Sequence, residues 1–164
     1  MKTKIEIFEK VKGLLENLNL TVVDEDQNRP WGGFYVINES QAYEFAKHFF
    51  PDESFDQLKI AGKLSPKILM VAPGKRLSWQ YHHRRAEIWK CIDGRVAVAI
   101  SDTDIESDIK ELQVNDIIKL QQGERHRLIG LDDWGVIAEI WQHTDAIHPS
   151  DEDDIVRVQD DFGR

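Results

Sequence analysis

Seven short β-rich runs follow one another from Lys67 to Gln142: KILMVAP, LSWQYHH, EIWKCI, RVAVAI, DIIKL, HRLIG and GVIAEIWQ. The gaps between them carry explicit turn signals, namely Pro73-Gly74, Asp93-Gly94, the acidic SDTDIESD stretch, Gln122-Gly123 and the LDDWG corner. Gly supplies positive φ and Pro removes a ladder donor, so each signal ends a strand. Short strands at such close intervals fold as an all-β antiparallel sandwich or barrel.

The first third of the chain reads differently. Ile5, Phe8, Val11, Leu14 and Leu15 recur at helical spacing, which predicts an amphipathic helix over about residues 4–17. A second helix is expected from Ser40, as its cap, to Phe49, with Pro51 as its stop. Between them TVVDEDQNRPWGGFYVI reads as two short strands around a turn. The closing DEDDIVRVQDDFGR, anchored by Ile155 and Val158, reads as a solvated charged segment. At 164 residues the chain has room for one core. Residues 1–66 are expected to form an extension packed on a barrel of residues 67–164. Its helices then cover a barrel edge or form the contact of a homodimer, because apolar faces and sheet edges both need burial.

Charge narrows the partners. Thirty acidic against twenty-one basic residues give a net charge of −9, without a Lys/Arg block, which argues against nucleic acid. No stretch approaches the roughly 20 apolar residues of a membrane span, and the charged N-terminus does not read as a secretory signal, so a cytoplasmic location is expected. The single cysteine, Cys91, excludes Cys-based zinc motifs and reads as a small buried group; any metal must be held by His and carboxylate.

One constellation fits that requirement. Gln80 and His82 are two apart on an expected strand and leave the same face. A tight turn could return Glu87 toward that face, and His126 opens a later strand after a Gly turn. In a closed barrel such inward positions meet. Two imidazoles, one carboxylate and one amide oxygen are plausible ligands for a divalent ion such as Zn²⁺. With six His in the chain, a chance pairing is the competing reading.

The spacing Gly74, Gln80, His82, Glu87, Gly94 resembles the first cupin motif, and Gly123 with His126 resembles the metal-binding end of the second, where Asn115 and Gln121 replace the usual Gly and Pro. More narrowly, PGKRLSWQYHHRRAEIWKCIDGRVAVAI resembles the isomerase domain of type II phosphomannose isomerases, typically PG..LS.Q.HHHRAEHW...G.A. RPWGGF and DDIVRVQDDFGR resemble that family's opening and closing signatures. The resemblance implies a cupin-type double-stranded β-helix (jelly-roll) barrel with short N-terminal helical additions. It also implies Gln80, His82, Glu87 and His126 as ligands of a divalent metal, Zn²⁺ first. The family's third His is Arg84 here, the His after Glu is Ile88, and a late Gln is Trp141.

The implied activity is a metal-dependent aldose–ketose isomerase acting on a sugar phosphate, with mannose 6-phosphate and fructose 6-phosphate as the expected pair. A cupin oxygenase holding iron and a noncatalytic sugar-binding cupin are the alternatives. Arg29, Arg76, Arg157 and Arg164 are candidates to hold the phosphate, since a dianion favours always-charged bidentate donors. Arg85, beside Glu87, is the leading functional arginine, with a salt bridge to the acidic tail as its competing role. Glu139 is the first choice of general base, with Lys75 and Glu124 as alternatives. The five tryptophans could stack on a sugar face or fill the core.

Overall fold

The computed structural model describes all 164 residues and contains two antiparallel sheets. The first has the order β1 (Val22–Arg29), β2 (Gly32–Ile37), β3 (Lys67–Val71), β10 (Gly135–His143), β5 (Arg85–Asp93) and β8 (Ile117–Leu120). The second has the order β11 (Val156–Gln159), β4 (Trp79–Tyr81), β9 (Arg125–Gly130), β6 (Val96–Ser101) and β7 (Asp108–Leu112). They face each other as a cupin-type jelly roll.

Three central strands of the first sheet are buried on both faces, which is why KILMV and GVIAEI are apolar without clean alternation. The period of two still sorts their side chains. Ile68, Met70, Ile88, Val136, Ala138 and Ile140 pack outward under the helices. Leu69, Val71, Trp89, Cys91 and Ile137 point into the barrel, against Val96, Val98 and Leu128 of the second sheet. Lys67, Glu87, Glu139 and Trp141 share the inward positions of β3, β5 and β10. Polar groups are therefore carried into the barrel at one end of each strand.

Helix α1 (Lys4–Asn17) follows the expected span, and α2 (Ala42–Phe49) is the second helix. Thr3 caps α1 in a reciprocal box with Glu6, a Thr-x-x-Glu signal that fixes the helix start. Ser40 does not cap α2. It lies in a 3₁₀ turn (Glu39–Gln41) whose cap is Asn38, the side chain accepting from the Ser40 amide. Ile7, Phe8, Val11 and Leu15 with Phe45, Ala46 and Phe49 cover the outer face of the first sheet, rather than a barrel edge. A short helix, α3 (Phe55–Leu58), adds Leu58 to that layer.

Two elements depart from the sequence reading. The acidic loop ends in strand β7, which pairs with β6 along its whole length. The charged C-terminal segment contains β11, which pairs with β4 and places Arg157 opposite Gln80. Exposed alternation hid both strands, because only Leu112 of β7 is buried and no residue of β11 is. At the β1–β2 turn Gly32 takes φ +145, and a Cβ there would strike the Met70 carbonyl, so the RPWGG element needs glycine to lie against β3.

Candidate metal centre and anion cavity

His82 follows β4, His126 opens β9 and Glu87 lies on β5, so the first two come from the second sheet and the carboxylate from the facing one. Their ligand atoms all lie within 4.8 Å of one another, and all three side chains are buried. The turn before His126 depends on Gly123 at φ +79, and Asn115 takes φ +81 where the cupin pattern has Gly. His82 Nδ1 lies 2.7 Å from the Asp154 carbonyl and His126 Nδ1 lies 3.1 Å from that of Glu124. A carbonyl only accepts, so both Nδ1 atoms carry the proton and both Nε2 atoms present a lone pair to the site.

Those lone pairs face Glu87, with His82 Nε2 at 3.3 Å from Oε1 and His126 Nε2 at 3.5 Å from Oε2. His126 Nε2 is buried with no hydrogen-bond partner. Burial holds the His126 imidazole below its usual range and pushes His82 down to about 3, so both are neutral near pH 7. For Glu87, burial favours the neutral acid, but the Arg85 charge and the imidazoles outweigh it and hold the carboxyl at about 2. Two neutral imidazoles, one with an unpartnered nitrogen, and an ionised carboxylate form a donor set suited to a divalent cation. Gln80, in register with His126 across β4 and β9, lines the adjoining cavity and accepts from Ser78 Oγ at 2.7 Å.

Arg85 is buried beside this triad. Its Nε donates to Glu87 Oε1 at 2.8 Å, its Nη1 to Ser150 Oγ at 2.8 Å and to the Asp151 carbonyl at 3.0 Å. Its guanidinium stacks on Trp141, 3.6 Å from the ring centroid. Lys67 Nζ also lies over the Trp141 ring, at 4.1 Å, so that indole serves two cations instead of offering a sugar platform. Glu139 is inward and buried. Trp141 Nε1 donates to its Oε1 and Trp89 Nε1 to its Oε2, each at 2.8 Å, and Trp89 also reaches Glu87 at 3.0 Å. Burial, then the charge of Glu87, pushes the Glu139 carboxyl up to about 8.

These groups line a cavity of roughly 440 Å³. Arg29, Lys67, Arg85, Arg157 and Arg164 contribute five cations to it, and Trp31, Phe34, Leu69 and Leu77 an apolar wall. Glu87, Glu139, Glu152 and Asp153 line it as well, so five cations face four carboxyl groups there, in a chain whose overall charge is −9. Arg29 pairs with Asp26, Arg164 is held by Asp160 through Nε at 2.8 Å and Nη2 at 3.2 Å, and Arg157 is exposed on β11 without an ion pair.

Two expected site residues lie elsewhere. Lys75 is exposed in the turn after β3, where its carbonyl accepts from Gly130 at the far end of β9 from His126. Arg76 sits at that same end and is neutralised by Asp161, through Nε at 2.6 Å and Nη2 at 2.9 Å. Glu124 accepts from the Gln121 amide and shapes the turn before His126. Ile88, although next to Glu87, faces outward under the helices, so that departure from the family pattern does not touch the cavity. Lys67 and Asp154 were not singled out from sequence. The signal for Lys67 was a charge in phase with Leu69 and Val71; Asp154 is indistinguishable within a run of acids. Cys91 is buried, its thiol pushed up to about 11 by burial, as a space-filling group.

A family model described as mannose-6-phosphate isomerase C-terminal matches residues 44–160. Among curated proteins, the chain is 28% identical over 160 residues to a mannose-1-phosphate guanylyltransferase of Salmonella montevideo, covering 97% of this chain and 27% of that protein. It is 32% identical over 114 residues to the protein of the same name in Escherichia coli (strain K12), covering 70% of this chain and 22% of that protein. The chain thus spans about a quarter of the length of the curated relatives it matches. Among solved structures, an oxalate decarboxylase of Lactobacillus farciminis superposes with a TM-score of 0.56 at 15% identity, over 82% of this chain and 33% of that one, a likeness of fold alone. The expectation of an aldose–ketose isomerase is corrected by these relatives, whose name is that of a nucleotidyltransferase, while the family description designates a C-terminal region. What is secured is the cupin barrel and its lineage: with most of its length matched, the chain belongs to the mannose-6-phosphate isomerase C-terminal family.

Proposed function

We propose that the barrel holds a divalent ion, Zn²⁺ from the donor set, on Gln80, His82, Glu87 and His126, and binds a phosphorylated sugar in the adjoining cavity. The carrying observation is the convergence of two Nε2 lone pairs and a carboxylate, one nitrogen without a partner, at the wall of a cation-lined cavity. A bound ion would supply Lewis-acid polarisation of a sugar oxygen. Arg85 orients Glu87 and spans to the Ser150–Asp151 turn. Arg29, Arg157 and Arg164 place positive charge where a phosphate enters. Glu139, clamped by two indole N–H groups, is the proton-handling carboxyl of the cavity. The relatives' names, both of mannose phosphates, support this ligand class.

Elemental analysis of protein purified without added metal, with calorimetric titration of a hexose phosphate and of the free hexose, tests the reading. Near-stoichiometric zinc and selective binding of the phosphorylated sugar are expected. His82→Ala and His126→Ala should each lose most of the metal, while His48→Ala and His148→Ala keep it. Full metal retention in both ligand variants would remove the assignment.

A further inference from the structure

Lys67 is the inward residue that opens β3, directly across from Glu139 on β10. Its side chain is only 8% exposed, walled by the rings of Phe34 and Trp141. A buried ammonium requires a counter-charge, because leaving water as a free cation costs several kcal/mol. Its ion-pair partner is Glu152, a carboxylate 65% exposed in the turn before β11. That contact is the sole hydrogen bond made by the Glu152 side chain.

The other cavity cations are bound differently. Arg85 is spread over a carboxylate, a hydroxyl and a carbonyl, and Arg164 is gripped by Asp160, which is itself 4% exposed. The turn carrying Glu152 keeps its shape without it. Asp151 Oδ1 accepts from the Asp153 and Asp154 amides at 3.0 Å, and Asp154 accepts from the His83 and Arg84 amides and from Ser150 Oγ. Glu152 can therefore swing into solvent at the loss of one contact, and solvent regains a carboxylate that was mostly hydrated already.

We propose that Lys67 is the anion-reading residue of this cavity and that Glu152 is an internal carboxylate standing in for the ligand's anionic group, which displaces it. The inference rests on the proposed sugar-phosphate reading for the identity of the ligand, but the exchange itself requires only an anion. A phosphate dianion brings about twice the charge of the carboxylate to the same buried ammonium, so the exchange selects phosphorylated over neutral ligands. Glu152 meanwhile keeps Lys67 paired in the free protein and sets a threshold against weak anions.

Calorimetric titrations of inorganic phosphate, a hexose 6-phosphate and the free hexose into wild type, Glu152→Gln, Lys67→Met and the double variant test it. Removing the internal competitor should tighten phosphate and hexose 6-phosphate about 5- to 10-fold in Glu152→Gln and leave the free hexose unchanged. Lys67→Met should weaken both phosphorylated probes by about 10-fold or more, and in its background Glu152→Gln should have no effect. Metal content and melting temperature, measured on each variant, identify any that fails to fold. Glu152→Gln alters an exposed side chain and keeps Lys67 itself, so it reports even where Lys67→Met fails to fold. Unchanged or weaker phosphate binding in Glu152→Gln overturns the proposal, as does an equal Glu152→Gln gain with and without Lys67. Tight inorganic phosphate with no preference for the hexose 6-phosphate over it would overturn the sugar reading alone and leave the exchange standing.

Discussion

At His126 a single nitrogen distinguishes the site from an ordinary buried histidine pair. Its Nε2 is buried, deprotonated and without a partner, and an acceptor in that state costs free energy until a cation or a hydrogen-bond donor completes it. His82 shares the arrangement but has Arg85 Nη2 at 3.3 Å. Arg85 thus stands against the triad itself, not in open space awaiting a phosphate. Arg85→Ala is expected to leave Glu87 without its 2.8 Å donor and to lower metal affinity by about 10-fold or more, as loss of a group orienting a ligand does. Metal competition with a chromophoric chelator would read this; unchanged affinity would return Arg85 to a purely substrate-facing role. The convergence of His82, Glu87 and His126 was legible in the sequence because strand period and motif spacing fix which side chains face inward. Lys75 and Arg76 were misplaced because a one-dimensional pattern does not say which end of the barrel a turn occupies, and both sit at the end away from His126.

Elements whose apolar residues alternate or recur at helical spacing were readable, as was the exposed β1 through the turn that joins it to β2, whereas two other exposed strands were not. Helix α1 and strands β3, β5, β6, β8 and β10 each bury two or more apolar side chains. β7 and β11 are nearly all exposed, and are strands because β6 and β4 offer them an open edge. The segment leading into β11 matters beyond its size: the Asp154 carbonyl holds His82 Nδ1 and its carboxylate collects two amides and Ser150. Asp154→Ala should destabilise the protein by about 1–3 kcal/mol through orphaned donors, and should weaken metal binding by misaligning His82. Urea denaturation checks the first and chelator competition the second. On the opposite side, Phe8→Ala removes a ring packed edge-on against Tyr35 and Trp134 and is expected to cost about 3–5 kcal/mol in the same denaturation assay. A cost near zero would mean that α1 does not belong to the folding unit of the barrel.

For the molecule as a whole, the buried titrating groups pull stability in opposite directions. His82, held at about 3, and His126, also lowered, stay neutral in the fold while the unfolded chain takes up protons below about 6.5. Stability they contribute is therefore lost as pH falls through that range, by on the order of 2 kcal/mol at pH 5 for His82. Glu139, raised to about 8, keeps a proton that the unfolded chain has released above 4.5, so its contribution is lost as pH rises from 4.5 through 8. Burial lowers His143 as well, to about 4, so three imidazoles oppose one carboxyl below about 6.5 and the carboxyl acts alone above it, and metal-free protein should be most stable between about pH 6.5 and 7. Thermal melts at pH 5, 6.5 and 8 in chelator would show this, and a maximum at pH 8 would contradict the burial of Glu139.

The three residues of the triad do not all come from one sheet. His82 and His126 belong to the sheet of β4 and β9, Glu87 to that of β5, and hydrogen bonding along each sheet leaves the gap between them to side chains. An ion seated there would rivet the two plates together at one end of the barrel. Loading would then be a mechanical event as much as a chemical one: amides of β4, β5 and β9 should slow their hydrogen exchange on metal addition while those of β7 barely change, and that end of the barrel would be stiff only where metal is supplied.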